Sequence, residues 1–217
     1  MTGFDIKPIL TLILMTCLLV AGSLAESQIT ASAGQPSAGS SGAADEDAQS
    51  MVEETAGSLE EGSPNPVQLN YYQNHTFGFS MTYPESWTGK EAGPNDMGLI
   101  AGFLAPKESS KNPQNYLMVQ YESLPLDMNL DQYVAAALAH LNTTFPDLEL
   151  ISDNRTGVSS QPARELVYAV DRGSYKVLQV MTVRGQKAFI ITFNARAAGY
   201  ALMEDDARDI ISSFQFI

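Results

Sequence analysis

Large side chains alternate with small or polar ones from Phe77 to Tyr83: Phe77, Phe79, Met81 and Tyr83 fall on one side of a period-two strand, and Gly78, Ser80 and Thr82 on the other. That is the pattern of a strand with one buried face. Pro84 cannot donate to a sheet ladder and ends the strand, and Trp87 follows closely enough to fold its ring back over the strand's end. Folded structure is expected to begin here. Leu99–Ala105 and Tyr116–Ser123 are the next predicted strands, separated by the turn-rich segments EAGPND and PKESSKNPQN. Pro125 breaks the run. Asn129 then caps a predicted helix in which Leu130, Tyr133, Val134, Ala137, Leu138 and Leu141 recur at spacings of three and four, with Asp131 in its first turn and Pro146 closing it.

The second half of the chain alternates more strongly. Arg164–Asp171, Ser174–Arg184 and Lys187–Ala195 are rich in Val, Ile, Tyr and Phe, and short glycine-bearing turns join them, Asp171-Arg172-Gly173 and Arg184-Gly185-Gln186. They predict an antiparallel meander. In the second of these strands apolar residues occupy both parities, which predicts burial on both faces and a central position. A last helix is predicted near Tyr200–Phe214, with Met203, Ala207, Ile210, Ile211 and Phe214 as its apolar stripe opposite Glu204, Asp205 and Arg208. The expected fold class is α+β, an antiparallel sheet flanked by helices.

The first 66 residues carry no such pattern. Ile9–Ala21 is almost wholly apolar, preceded by Lys7 and followed by small residues, the layout of a signal peptide. Its thirteen residues are too short to span a bilayer, whereas Ile6–Ala25 reaches about 30 Å as a helix. Residues 1–25 are therefore a signal peptide or an N-terminal membrane anchor. Ser23 and Ala25 occupy the −3 and −1 positions of a cleavage site that would start the mature chain at Glu26. Cys17, after Leu14-Met15-Thr16, partly resembles a lipobox and is a candidate lipidation site. Thr16 is an unusual residue before a lipidated cysteine, and the apolar run continues past it. Residues 26–66 are Ser, Ala, Gly, Gln and acids, a composition that cannot repay the entropy of ordering. They are expected to form a disordered acidic linker, and 67–217 the folded domain. The expected location is outside the cytoplasm, anchored at the outer face of the cell membrane or secreted.

Charge and composition narrow the function. The chain carries −13 formally, and residues 27–66 hold seven acids with no lysine or arginine. Between Val67 and Ile217 sixteen acids oppose eleven bases with no basic stripe, which argues against nucleic acid as a partner. Cys17 is the only cysteine, so the domain has no disulfide and no thiolate. His75 and His140 are the only histidines, too few for a His-based metal site.

Several groups qualify as candidate sites. Glu204, Asp205, Asp206 and Asp209 could serve calcium, but they lack EF-hand spacing and also suit a solvated helix face near an N-terminus. Asn74, Asn142 and Asn154 begin N-glycosylation sequons, all expected at element ends. Ser159 and Ser160 have no G-x-S-x-G elbow around them and are read as loop serines. Tyr71, Tyr72 and Trp87 could form an aromatic binding surface, though a core tryptophan is the better expectation. Glu165 and Asp171 could act as a hydrolytic acid pair, but six strand residues place them roughly 20 Å apart, too far for paired-carboxylate chemistry.

The stretch YYQNHTFGFSMTYPESW, with the middle helix, the late meander and the closing IISSFQF, resembles the PsbP-like domain family over Tyr71–Ile217. The resemblance implies an α/β/α sandwich, shared with the Ran-binding Mog-type proteins and with bacterial exported PsbP-like proteins. Photosynthetic members are extrinsic subunits of photosystem II that help to retain calcium and chloride. This chain carries a plain export leader in place of a chloroplast transit peptide, and no residue set maps onto a family metal site. The expected function is that of a membrane-tethered, non-enzymatic accessory domain with a protein partner. A small-solute or ion-binding module is the alternative, with a hydrolase ranked after it.

Overall fold

The computed structural model describes residues 67–92, 98–108 and 113–217; the expected leader, the expected linker and Cys17 lie outside the described residues. Among the described residues, strands β1 (Leu69–Asn74), β2 (Phe79–Pro84), β3 (Thr88–Glu91), β4 (Leu99–Leu104) and β5 (Tyr116–Ser123) come first. Helix α1 (Leu130–Thr144) follows, then β6 (Glu149–Val158), β7 (Gln161–Val170), β8 (Tyr175–Arg184), β9 (Lys187–Arg196), helix α2 (Ala197–Ser212) and β10 (Gln215–Phe216). Seven strands form one antiparallel sheet in the order β3-β4-β5-β9-β8-β7-β6, and β1, β2 and β10 form a second, smaller one.

Period-two alternation divides the core between two faces of the large sheet. Phe189, Ile191, Phe193 and Ala195 of β9 join Leu178 and Val180 of β8 and Leu117 and Val119 of β5 on one face. Helix α2 covers this face through Tyr200, Ala207, Ile210 and Ile211, together with Phe79, Met81 and Trp87 from the small sheet and its turn. Ala188 and Ile190, with Val177, Met181, Leu166 and Tyr168, form the opposite face beneath Tyr133, Val134, Ala137 and Leu141 of α1. The helices therefore sandwich the sheet, as the α+β pattern and the family resemblance imply.

Local chemistry sets the ends of the elements. Asn129 Oδ1 accepts from the Gln132 backbone N–H at 3.0 Å, and Gln132 Oε1 accepts from the Asn129 N–H at 2.9 Å, a reciprocal cap on α1. Ser159 and Ser160 both have positive φ and form the two-residue turn between β6 and β7. Ser159 Oγ accepts from the Phe216 N–H at 2.7 Å, which fixes the chain's end to that turn. Ser213 Oγ accepts from the Thr82 N–H at 2.9 Å and so ties the end of α2 to β2. Phe214 stacks on Phe79 with ring centroids 4.8 Å apart. Gly89 lets β3 approach closely, since a Cβ there would lie 2.7 Å from Tyr83 Oη.

The structure corrects several expectations. Pairing begins at Leu69, before Phe77, because β1 lies along β2. Phe77 and Gly78 belong to the connecting turn, with Gly78 at φ +68°. Strands β3 and β6 are additions to the expected set. Each is an edge strand with few buried positions, so neither shows apolar alternation. The last helix starts at Ala197, directly after β9, and Arg196 makes no side-chain cap. Glu204–Asp209 thus occupy the helix's middle and later turns, outside the reach of its N-terminal dipole.

Trp87 is 2 % exposed, and its indole Nε1–H donates to Asp206 Oδ2 at 3.0 Å. On the other face, Glu122 of β5 is 5 % exposed and lies beside Tyr133 of α1. Burial pushes the Glu122 carboxyl up to about 7, with the Tyr133 hydroxyl partly offsetting the rise. Burial and the nearby Glu122 carboxylate raise the Tyr133 phenol in turn.

Two outcomes are expected from these contacts. Asp206→Ala strands a buried indole N–H and should lower the unfolding free energy by about 1–3 kcal/mol in urea titrations. Asp205→Ala, at an exposed neighbour, should stay within about 0.5 kcal/mol; equal effects would remove the structural role given to Asp206. The folded state holds a proton on Glu122 up to about pH 7, against an ordinary value of 4.5. Its contribution to stability therefore falls as the pH rises through that window, by up to about 3 kcal/mol. Glu122→Gln should be more stable than the wild type at pH 8, with the difference shrinking towards pH 5. A difference that does not change with pH would count against a protonated Glu122.

Candidate functional site

Tyr200, Glu204 and Arg208 follow at intervals of four along α2 and so share one face of the helix, which lies over β8 and β9. Glu165 has the same strand parity as Ala163 and Val167, which places it on the α2 face of β7. The Arg208 guanidinium joins the two elements. Its Nε and Nη2 donate to Glu204 Oε1 at 3.0 and 2.9 Å, and its Nη1 donates to Glu165 Oε2 at 3.0 Å. Partial burial works against the charge on Arg208, but the two carboxylates outweigh it and hold its pKa above the ordinary value. Tyr200 is 1 % exposed; burial first, and then the Glu204 carboxylate, raise its phenol. The Lys176 ammonium lies 4.2 Å from the Tyr200 ring centroid, at the far end of this line of polar groups.

Beside the Arg208–Glu165 pair is a cleft of about 210 Å³ between the last turns of α2 and strands β6, β7 and β8. Val158, Leu178, Val180 and Ile211 make its apolar floor, and Glu165, Arg208, Thr156 and Ser212 its polar rim. A concave site with an apolar floor and a few convergent polar groups is suited to holding a ligand group. The rim guanidinium is bound to Glu165 on one side and to Glu204 on the other.

The predicted site residues are dispersed. Asn74 is buried: its Nδ2 donates to Glu91 Oε1 at 3.0 Å and to Tyr72 Oη at 3.1 Å, so a glycan there would displace both bonds. Asn142 is exposed in the last turn of α1, which ends at Thr144. Asn154 is exposed within β6, away from the strand ends expected for it. Cys17 lies outside the described residues. Glu204 and Asp206 turn to Arg208 and Trp87, which separates them in role from the exposed Asp205 and Asp209. Among the described residues, no three His, Cys, Asp or Glu side chains converge to hold a metal ion. Glu165 faces α2, whereas Asp171 sits with positive φ in the β7–β8 turn. Trp87 belongs to the core, Tyr72 is partly buried against it, and Tyr71 is exposed.

Sequence reasoning missed two groupings. Glu204 and Arg208 have the i,i+4 spacing of a helical ion pair, a legible signal. Their link to Glu165, and the Glu122–Tyr133 contact, depend on how helices dock on the sheet.

The sequence has no match among curated proteins. Cyanobacterial PsbP (CyanoP) from Synechocystis is 17 % identical, with a TM-score of 0.54 over 72 % of this chain and 96 % of that one. LpqN of Mycobacterium tuberculosis, described as involved in cell envelope biogenesis, is 15 % identical, with a TM-score of 0.52 over 70 % of this chain and 91 % of its own. The Ran-binding protein Mog1p of Saccharomyces cerevisiae, at 9 % identity and a TM-score of 0.44 over 69 % of this chain and 96 % of its own, is too loose a likeness to carry an argument. At such identities the likenesses speak for the fold alone. The family model described as PsbP-like protein matches residues 43–216, most of the chain, and the chain belongs to that family.

Proposed function

We propose that this chain is an exported, membrane-tethered, non-enzymatic accessory domain that binds a protein of a membrane or cell-surface complex. The observation that carries this is the order of its parts: an apolar leader, then about forty acidic and small residues, then a PsbP-like domain. A linker of that length and composition has a root-mean-square reach of about 35 Å before charge repulsion extends it. That reach would let a folded domain stand away from the membrane and meet a partner. The involvement of LpqN in cell envelope biogenesis is in line with such a location. The paired state of Glu165, Glu204 and Arg208 favours a binding role over acid–base chemistry, since each carboxylate already accepts a hydrogen bond from the same guanidinium. Among the described residues no helix is long and apolar enough to cross a membrane, so anchoring falls to the leader or to a lipid on Cys17. A small-solute-binding module is the second reading, and the cleft beside Arg208 is the observation in its favour.

Fractionation and crosslinking test the proposal. The full chain should sediment with membranes, and protease added to intact spheroplasts should cut within residues 26–66 and release the folded domain. A soluble mature chain starting at Glu26 would rule out tethering, and a chain protected from protease would rule out export. Crosslinking in intact cells, read by mass spectrometry, should recover one membrane or surface protein repeatedly. A monomer without crosslinks would count against the accessory role.

A further inference from the structure

Strand β6 is the long open edge of the large sheet. Its ten residues pair with β7 on one side, and among the described residues no strand lies on the other. The edge strand at the opposite end, β3, has only four residues. The β6–β7 hairpin fixes which backbone groups of β6 point outward. Ser159 and Ser160 form a two-residue turn, so Val158 and Gln161 close it as a hydrogen-bonded pair, and bonded and non-bonded pairs alternate from there. Thr156 and Asn154 therefore bond to β7, opposite Ala163 and Glu165, while Asp153, Arg155 and Gly157 turn their N–H and C=O groups to the free edge. Pro162, which has no N–H, stands opposite Gly157, at a pair that needs none. Every residue from Asp153 to Gly157 is exposed.

Unpaired backbone groups along an exposed edge are a template for another strand. The side chains decide which strand fits. Asp153 and Arg155 project on the α1 face, where Arg155 Nη2 lies 3.1 Å from Asp131 Oδ2 and Asp153 is bound to Arg164. When two copies of β6 are paired antiparallel about a two-fold axis at Asn154, Asp153 of each copy lies opposite Arg155 of the other, and Ser152 lies opposite Thr156. Opposite charges meet in one kind of pair and hydroxyls in the other. Asp153 and Arg155 are both outward-facing residues, so their pairs also exchange N–H···O=C bonds across the axis. An axis at residue 153 or 155 would set Asp153 on Asp153 or Arg155 on Arg155, which is destabilising. A larger shift runs the ladder into the bulge at Leu150–Ser152 or into the Ser159–Ser160 turn. A single register thus satisfies charge, hydroxyls and backbone together.

We propose that β6 is a self-association edge, through which two copies of this chain join antiparallel about Asn154 and continue the large sheet of one into that of the other. The pairing uses the same surface on both copies, so it covers both exposed edges and closes at the dimer. A foreign strand would have to reproduce the same alternation of charge, and it would leave the complementarity of the edge to itself without a cause. The contact is a short ladder, so association is weaker than in obligate dimers, which bury more than about 2,000 Å². A glycan on Asn154 would stand on the axis, so glycosylation of that sequon and this pairing exclude one another. The inference does not depend on the accessory role and holds or fails whatever partner the domain meets.

Disulfide trapping tests the register. Opposed residues of a non-hydrogen-bonded antiparallel pair have Cα atoms about 4.5 Å apart, within the range of about 4.4–6.8 Å that a disulfide needs. Asn154 is opposed to itself, so the full chain is used with Cys17, its only cysteine, changed to Ser. Under mild oxidation at physiological ionic strength, where repulsion between two acidic chains is screened, Asn154→Cys should give about tenfold more covalent dimer than Ser152→Cys or Thr156→Cys alone. Each of those two stands about 13 Å from its own counterpart and opposite the other. Mixing the Ser152→Cys and Thr156→Cys chains should therefore restore the crosslink. Arg155→Pro removes an outward N–H and leaves the ladder to β7 in place. Added to Asn154→Cys, it should lower trapping to the level of the single controls with the unfolding transition little changed. Equal trapping at all three positions, or trapping that survives Arg155→Pro, would overturn the proposal. So would an Asn154→Cys disulfide that forms with another protein in a cell lysate and not in the purified chain, which assigns the edge to a foreign strand.

Discussion

Strand β9 is buried along nearly its whole length, and its alternate side chains belong to different cores. Everything else in the domain is arranged by this double burial. A strand with Phe189, Ile191 and Phe193 on one side and Ala188 and Ile190 on the other cannot lie at a surface, so it needs strands beside it and a helix over each face. Strands β5 and β8 flank it over eight and ten paired residues. Helices α1 and α2 cover its two faces. A slip of one residue in this register would exchange the two cores, which differ in size and content, so the pairing of β9 fixes the register of the sheet.

Helix α2 is held by more than its apolar stripe. Trp87 reaches it from the turn after β2 through Asp206, Ser213 binds the β2 backbone, and Arg208 joins it to Glu165 on β7. These three contacts tie the helix to separate parts of the chain and set where it sits above the sheet. The cleft lies between its last turns and strands β6, β7 and β8, and its rim includes the same ionic contact that docks the helix.

Legibility follows burial. The meander and α1 are readable because their alternation and spacing report burial directly, and Asn129 with Gln132 marks the helix start in the sequence itself. Strand β6 is not readable. Its exposed positions lie on both parities and mix Leu150 and Ile151 with polar residues, so no alternation marks it, and only pairing with β7 makes it a strand. Strand β1 is hidden for a related reason, since Leu69 and Tyr71 stay exposed and the inward-facing Asn74 is buried by hydrogen bonds rather than apolar packing. The start of α2 is misplaced by the pattern because Arg196 offers no cap signal and the helix follows β9 without a break.

By itself the sequence determined the fold class, the apolar run and acidic stretch that precede the patterned part of the chain, and the identity of Trp87 as a core residue. These follow from periodicity and composition, which act over neighbouring residues. Only the tertiary structure decided which acids matter. Glu204, Asp205, Asp206 and Asp209 look alike along the chain, yet one holds a guanidinium, one holds an indole and two face water. Glu165 meets Arg208 from 43 positions away, and Glu122 meets Tyr133 across the other face. The energy of a charge depends on its burial and its neighbours in space, and local pattern carries no record of either.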